Sequence, residues 1–137
     1  MFTSIASVCI SGSLDTKLRA IAKAGFNGVE LVESDLLTYD GTARELGRMI
    51  RDLGLQCTAF QPVRDFEGMP EPLRTRNFQQ IERKFDVMEQ VGAELLIVGS
   101  NASSAALGDR QRIVADFGHL ADLAQARGLR IGYEALA

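Results

Sequence analysis

The order of elements in this sequence is that of a parallel α/β fold, β(αβ) repeated four times, and three observations predict it. Four segments carry a glycine at their second position and enter an apolar run within about three residues of it: AGFNGVEL (24–31), LGLQCTAF (53–60), VGAELLIV (91–98) and RGLRIGYE (127–134). The apolar runs are continuous, not alternating, as in strands covered by helices on a parallel sheet. Between them lie stripes of apolar residues at helical spacing. Gly25, Gly54, Gly92 and Gly128 are 29, 38 and 36 residues apart, each a length that suits one βα unit.

The first strand is SIASVCI (4–10). Ser13 is placed to cap a first helix with the stripe Leu14, Leu18, Ile21 and Ala22. Gly25 supplies the left-handed residue that ends it, and GVELV (28–32) follows as the second strand. Thr42 with Glu45 three residues later is a capping box for a second helix, striped by Leu46, Met49, Ile50 and Leu53. LQCTAF (55–60) is the third strand. A loop, QPVRDFEGMPEP (61–72), holds all three prolines and reads as a semi-rigid flap. Phe78, Ile81, Phe85, Met88 and Val91 stripe the third helix, and LLIVGS (95–100) is the fourth strand. Asp109 is a cap for a fourth helix through Ile113, Phe117, Leu120 and Ala124, before the fifth strand LRIGYEA (129–135). The count is five parallel strands and four helices.

Composition narrows the function. Of 137 residues, 46% are hydrophobic and 24% charged, a globular profile. A net charge of −3 offers no general basic field for a nucleic-acid backbone, so no nucleic acid is expected as partner. No run approaches the 18 or so apolar residues that span a bilayer, and the N-terminus lacks a basic and apolar leader, so no membrane is expected and the reading is cytoplasmic. Cys9 and Cys57 stand in apolar runs without metal-ligand spacing and read as buried small hydrophobes.

Polar groups gather after the strands: Ser11 and Ser13; Glu30, Glu33 and Asp35; Gln61, Arg64, Asp65 and Glu67; Ser100 and Asn101; and Glu134. Parallel α/β folds bind ligands at the carboxyl ends of their strands. Arg64 reads equally as an anion-binding residue and as a surface ion pair with Asp65 or Glu67. Glu134 on an apolar strand reads as a metal or catalytic carboxylate, or as an acid that simply reaches water. Glu30 and Glu33 read as structural or supporting acids. His119, inside DFGHLADL, reads as a helix-surface or packing residue, and RTRNFQQIERK (74–84) as a solvated helix face.

AGFNGVEL, FQPVRDFEG (60–68) and LRIGYEAL (129–136) together resemble the xylose-isomerase-like sugar phosphate isomerase/epimerase superfamily. They resemble its bacterial 3-dehydroshikimate dehydratase branch more closely, along the whole chain. The resemblance implies a (β/α)8 TIM barrel of about 250 residues, of which residues 1–137 form the first part, about five of eight βα units of one domain. It implies a metal-dependent lyase, with Glu134 as the first of several ligands to a divalent ion such as Mg, Mn or Co, and a small-molecule substrate. Phe60, Gln61 and Arg64 would line the substrate pocket, Arg64 meeting a carboxylate, and Ser100 and Asn101 would contact hydroxyls. The base would be a histidine from a later strand, which His119 does not match. By itself the chain is expected to be inactive and, with open edge strands, to self-associate as a homo-oligomer or aggregate. The other readings are a sugar phosphate isomerase or epimerase of the same superfamily, a stand-alone five-stranded doubly wound binding module, and a repair nuclease, which the acidic balance disfavours.

Overall fold

The structure is a computed structural model and describes residues 1–135. Its elements are β1 (Ser4–Ala6), a 3-10 turn (Ser7–Cys9), α1 (Leu14–Lys23), β2 (Gly28–Val32), α2 (Glu33–Leu37), α3 (Ala43–Asp52), β3 (Gln56–Val63), α4 (Leu73–Val91), β4 (Leu95–Gly99), α5 (Arg110–Ala126) and β5 (Arg130–Glu134). The strands are parallel and neighbour one another in sequence order, β1-β2-β3-β4-β5. A doubly wound sheet reverses its strand order at a switch point; this one does not, as a partial β/α barrel requires. That order removes the doubly wound module.

Five α-helices stand where four are expected. The extra one, α2, is five residues long and too short to show a period; its end is closed by Thr38 Oγ1, which donates to Asp35 O at 3.1 Å. The first strand is also shorter than SIASVCI suggests. Ser7 is fully buried and its Oγ accepts the Val32 N–H at 3.1 Å, and there the chain leaves the sheet for a 3-10 turn. Cys9 is consequently exposed, correcting the burial expected of it. Cys57 is buried as expected, and desolvation pushes its thiol up to about 12.

The four glycines of the repeat all take positive φ, 83° at Gly25, 72° at Gly54, 83° at Gly92 and 67° at Gly128, the conformation a helix-ending glycine supplies. The capping box is present with both of its bonds: Glu45 N donates to Thr42 Oγ1 at 3.2 Å, and Thr42 N to Glu45 Oε2 at 2.8 Å. Asp109 accepts from Gln111 N at 2.9 Å. Ser13 occupies the cap position of α1 without making the cap bond; its hydroxyl donates to Asp15 Oδ1 at 2.6 Å instead.

The chain divides into two compact units, Met1–Gln61 with Val87–Leu95, and Pro62–Asp86 with Leu96–Ala137. The core of the first is built from Leu14, Leu18 and Ile21 of α1, Val29 and Leu31 of β2, Leu46 and Ile50 of α3, Phe60 of β3, and Met88 and Val91. Burying such side chains contributes about 1.5–3 kcal/mol each before conformational entropy is counted. Gly47 allows α3 to approach backbone directly: a Cβ there would sit 2.3 Å from Gln90 O and 2.9 Å from Val91 Cα. The core of the second unit is aromatic. Phe66 meets Phe78 and Phe117 edge to face at 5.9 and 5.1 Å, and Phe117 meets Tyr133 at 5.2 Å.

Candidate functional site

In the first unit, β2 and β3 set the geometry. Val29 pairs with Cys57 and Glu30 with Ala59, so Thr58 is an extra residue in β3. Such a bulge shifts the alternation of every side chain beyond it. Gln61, in register with Val32, therefore lies on the Glu30 face, and its Nε2 donates to Glu30 Oε1. Thr58 Oγ1 closes the bulge by donating to Val29 O at 3.1 Å. Phe60 pairs with Leu31, and both are essentially inaccessible, Phe60 at 1% and Leu31 at 0%. Adjacent residues of a strand face opposite ways, so Phe60 packs the core and faces away from the side that Gln61 occupies, whereas the resemblance implies that both line one pocket.

Buried Lys17 and half-buried Asp35 form an ion pair, Nζ reaching Oδ1 at 2.8 Å and Oδ2 at 2.9 Å. A surface pocket of about 400 Å³ is lined by Ser13, Leu14, Asp15, Thr38, Tyr39 and Asp40. It shares Ser13 with the polar groups gathered after the strands, but Phe60, Gln61, Arg64, Ser100, Asn101 and Glu134 are not among its lining residues. The Ser13 hydroxyl holds the Asp15 carboxyl below its ordinary range.

The second unit holds the loop after β3. Asp65 has φ 52°, a conformation open to Asp because its short side chain bonds nearby backbone. Its Oδ1 accepts Ala102 N at 2.8 Å and its carbonyl accepts Asn77 Nδ2 at 2.9 Å. Glu67 is 4% exposed; Oε1 accepts Asn101 N at 2.8 Å, while Oε2 is buried and has no partner among the described residues. Asp116, fully buried, accepts from Gly68 N at 2.8 Å and from Arg74 Nε at 2.6 Å. With Phe66, Glu67 and Met69 all buried, the loop is anchored in its unit and is not the flap expected of it.

Arg64 is exposed, and among the described residues neither a hydrogen bond nor an ion pair engages it. Asp65 and Glu67 accept backbone N–H groups instead, so the local ion pair falls away. Asn101 is fully used within the loop: Nδ2 donates to Glu67 O, and Oδ1 accepts Ser103 N at 2.8 Å. Ser100 is half-buried and its N–H donates to Glu134 O at 2.9 Å. The Glu134 side chain is exposed, so no desolvation demands a cation there. Among the described residues no three His, Cys, Asp or Glu side chains gather as a metal site requires. Glu134 offers one carboxylate, and these residues do not make a divalent-metal centre. His119 is exposed on α5, its ring 4.7 Å from that of Phe78.

Sequence reasoning passed over Lys17, Asp116 and the burial of Glu67. Each looks like an ordinary surface charge, and only a tertiary partner makes it otherwise.

Residues 18–137 match the family model of the xylose isomerase-like TIM barrel. This chain belongs to that family. Over 137 residues it is 52% identical to the 3-dehydroshikimate dehydratase of Pseudomonas aeruginosa, and spans all of this chain but 22% of that protein. A solved xylose isomerase-like TIM barrel/4-hydroxyphenylpyruvate dioxygenase fusion protein superposes with a TM-score of 0.95 at 51% identity, covering 99% of this chain and 22% of that one. The IOLI protein, solved with a bound zinc atom, superposes at 0.85 with 16% identity over 99% of this chain and 52% of its own, a likeness of fold alone. Active sites of TIM barrels lie at the C-terminal ends of the strands. In this xylose isomerase-like barrel segment, Gln61, Arg64, Ser100, Asn101 and Glu134 each lie at or just after such an end. No described helix is long and apolar enough to cross a membrane.

Proposed function

We propose that the protein carrying this chain is a divalent-metal-dependent 3-dehydroshikimate dehydratase, a lyase that converts 3-dehydroshikimate to protocatechuate. The single observation that carries the proposal is the 52% identity, along the whole of this chain, to a dehydratase of that name. The reaction removes a proton beside a ketone and expels water, and the aromatic ring of the product drives it. Arg64 supports this reading, since an exposed guanidinium with no partner among the described residues suits the substrate's carboxylate in a bidentate pairing. Gln61 and Ser100 are assigned to the substrate's remaining oxygens, and Asn101 to holding the loop behind them. Glu134 is assigned as one metal ligand, the others coming from residues outside this chain, as does the general base. The isolated chain is therefore expected to be inactive.

The test uses the full-length protein supplied with 3-dehydroshikimate while the absorbance of an aromatic product is followed. Turnover that a chelator abolishes and Mg, Mn or Co restores supports the proposal. Arg64→Ala is expected to raise KM about 10- to 100-fold, the loss of a charge-assisted bidentate contact. Activity on sugar phosphates with none on 3-dehydroshikimate would sink it.

A further inference from the structure

The Glu30–Gln61 pair decides which end of the Gln61 amide remains for a ligand. A carboxylate oxygen only accepts hydrogen bonds, so the amide NH2 must face Glu30, as it does. One N–H is used in this way, and the amide carbonyl is turned away from Glu30. Gln61 Oε1 has no hydrogen-bond partner among the described residues and is not one of the buried unpaired atoms, so it is open to an occupant of that face. The bulge at Thr58 brings the two residues onto one face, and the strand pairing of Val32 with Gln61 holds the backbone beneath them.

We infer that Gln61 is a hydrogen-bond acceptor toward the substrate, selecting a hydroxyl, and that Glu30 is the positioning residue that fixes this polarity. The inference rests on the dehydratase reading and deepens it. A side chain free to turn its amide over would offer a ligand its carbonyl or its NH2 alike; with one N–H held by Glu30 the amide cannot turn over, and its carbonyl stays available to a donor.

The test measures kcat and KM of the full-length protein for 3-dehydroshikimate, with thermal midpoints read alongside. Gln61→Leu is expected to raise KM about tenfold with kcat within about twofold, the loss of one binding contact. The exchange Glu30→Gln with Gln61→Glu keeps the pair and the outward acceptor, because the amide introduced at position 30 donates to the carboxylate introduced at 61; KM is expected within about threefold of the unaltered enzyme. Gln61→Lys keeps a partner for Glu30 but presents donors only, and is expected to match Gln61→Leu. Should Gln61→Leu fail to fold, the exchange and Gln61→Lys carry the comparison, since both retain the contact with Glu30. A retained KM in Gln61→Lys with a lost one in the exchange would overturn the inference, as would an unchanged KM in Gln61→Leu. No turnover by the unaltered enzyme would overturn the dehydratase reading itself and the inference with it.

Discussion

The two units solve the same problem, satisfying backbone groups near the carboxyl ends of strands, by different means. In the first, strand pairing does most of it: β1, β2 and β3 run in register, with Ser7 and Thr58 side chains bonding the two irregular points. In the second, carboxylates take over. Asp65, Glu67 and Asp116 each accept a backbone N–H, from Ala102, Asn101 and Gly68 respectively. The difference teaches where charge is needed in this fold. A chain segment outside the sheet has donors with no ladder to join, and a buried acid costs less than leaving them unpaired.

Removing one such acid is the most damaging way to probe the contrast. Among the described residues, Asp116→Ala leaves Gly68 N unpaired and Arg74 with only its long, exposed contact to Glu71 and the face of Phe78, and is expected to cost about 3 kcal/mol in denaturant unfolding of the full-length protein. A loss under about 1 kcal/mol would mean that the loop does not depend on its carboxylates. The first unit should be vulnerable through backbone approach instead. Gly47→Ala places a methyl group against Gln90 O and Val91 Cα, and about 2 kcal/mol of destabilisation is expected by the same measurement. A neutral result would show that α3 can move away without cost.

The smallest effect is chemical. Exposed Cys9 should react with iodoacetamide in the native protein, while Cys57 should react only after unfolding, which peptide mass spectrometry separates. Burial raises the Cys57 thiol from 9.0 to about 12. The thiolate is thus favoured in the unfolded chain, so the contribution to stability is complete below pH 9 and fades as pH climbs from 9 toward 12. Cys57→Ala should flatten that part of the stability profile; an unchanged slope would assign it to other groups.

Much of this architecture was legible because it depends on local rules. A glycine at the end of a helix, a threonine three residues before a glutamate and a continuous apolar run each have one economical conformation. The failures share a different cause. Cys9 looks like its apolar neighbours, yet Ser7 turns the chain out of the sheet by bonding Val32, a residue 25 positions away. Asp116 sits beside Phe117 in a helix where an acid reads as solvent-facing, and only the returning loop at Gly68 makes it interior. Of the candidate site, Arg64 and Gln61 were legible as polar residues after a strand. Which face Phe60 would take was not, since it depends on one inserted residue whose presence alternation alone cannot reveal.

That insertion reaches beyond pairing. Parity along a strand is binary, so a single extra residue at position 58 behaves as a phase marker for everything downstream of it. Deleting one codon there would keep Ala59 opposite Glu30 and Gln61 opposite Val32 in a regular ladder, whereas pairing Thr58 itself with Glu30 would set Phe60 opposite Val32 and turn its phenyl ring onto the Glu30 face.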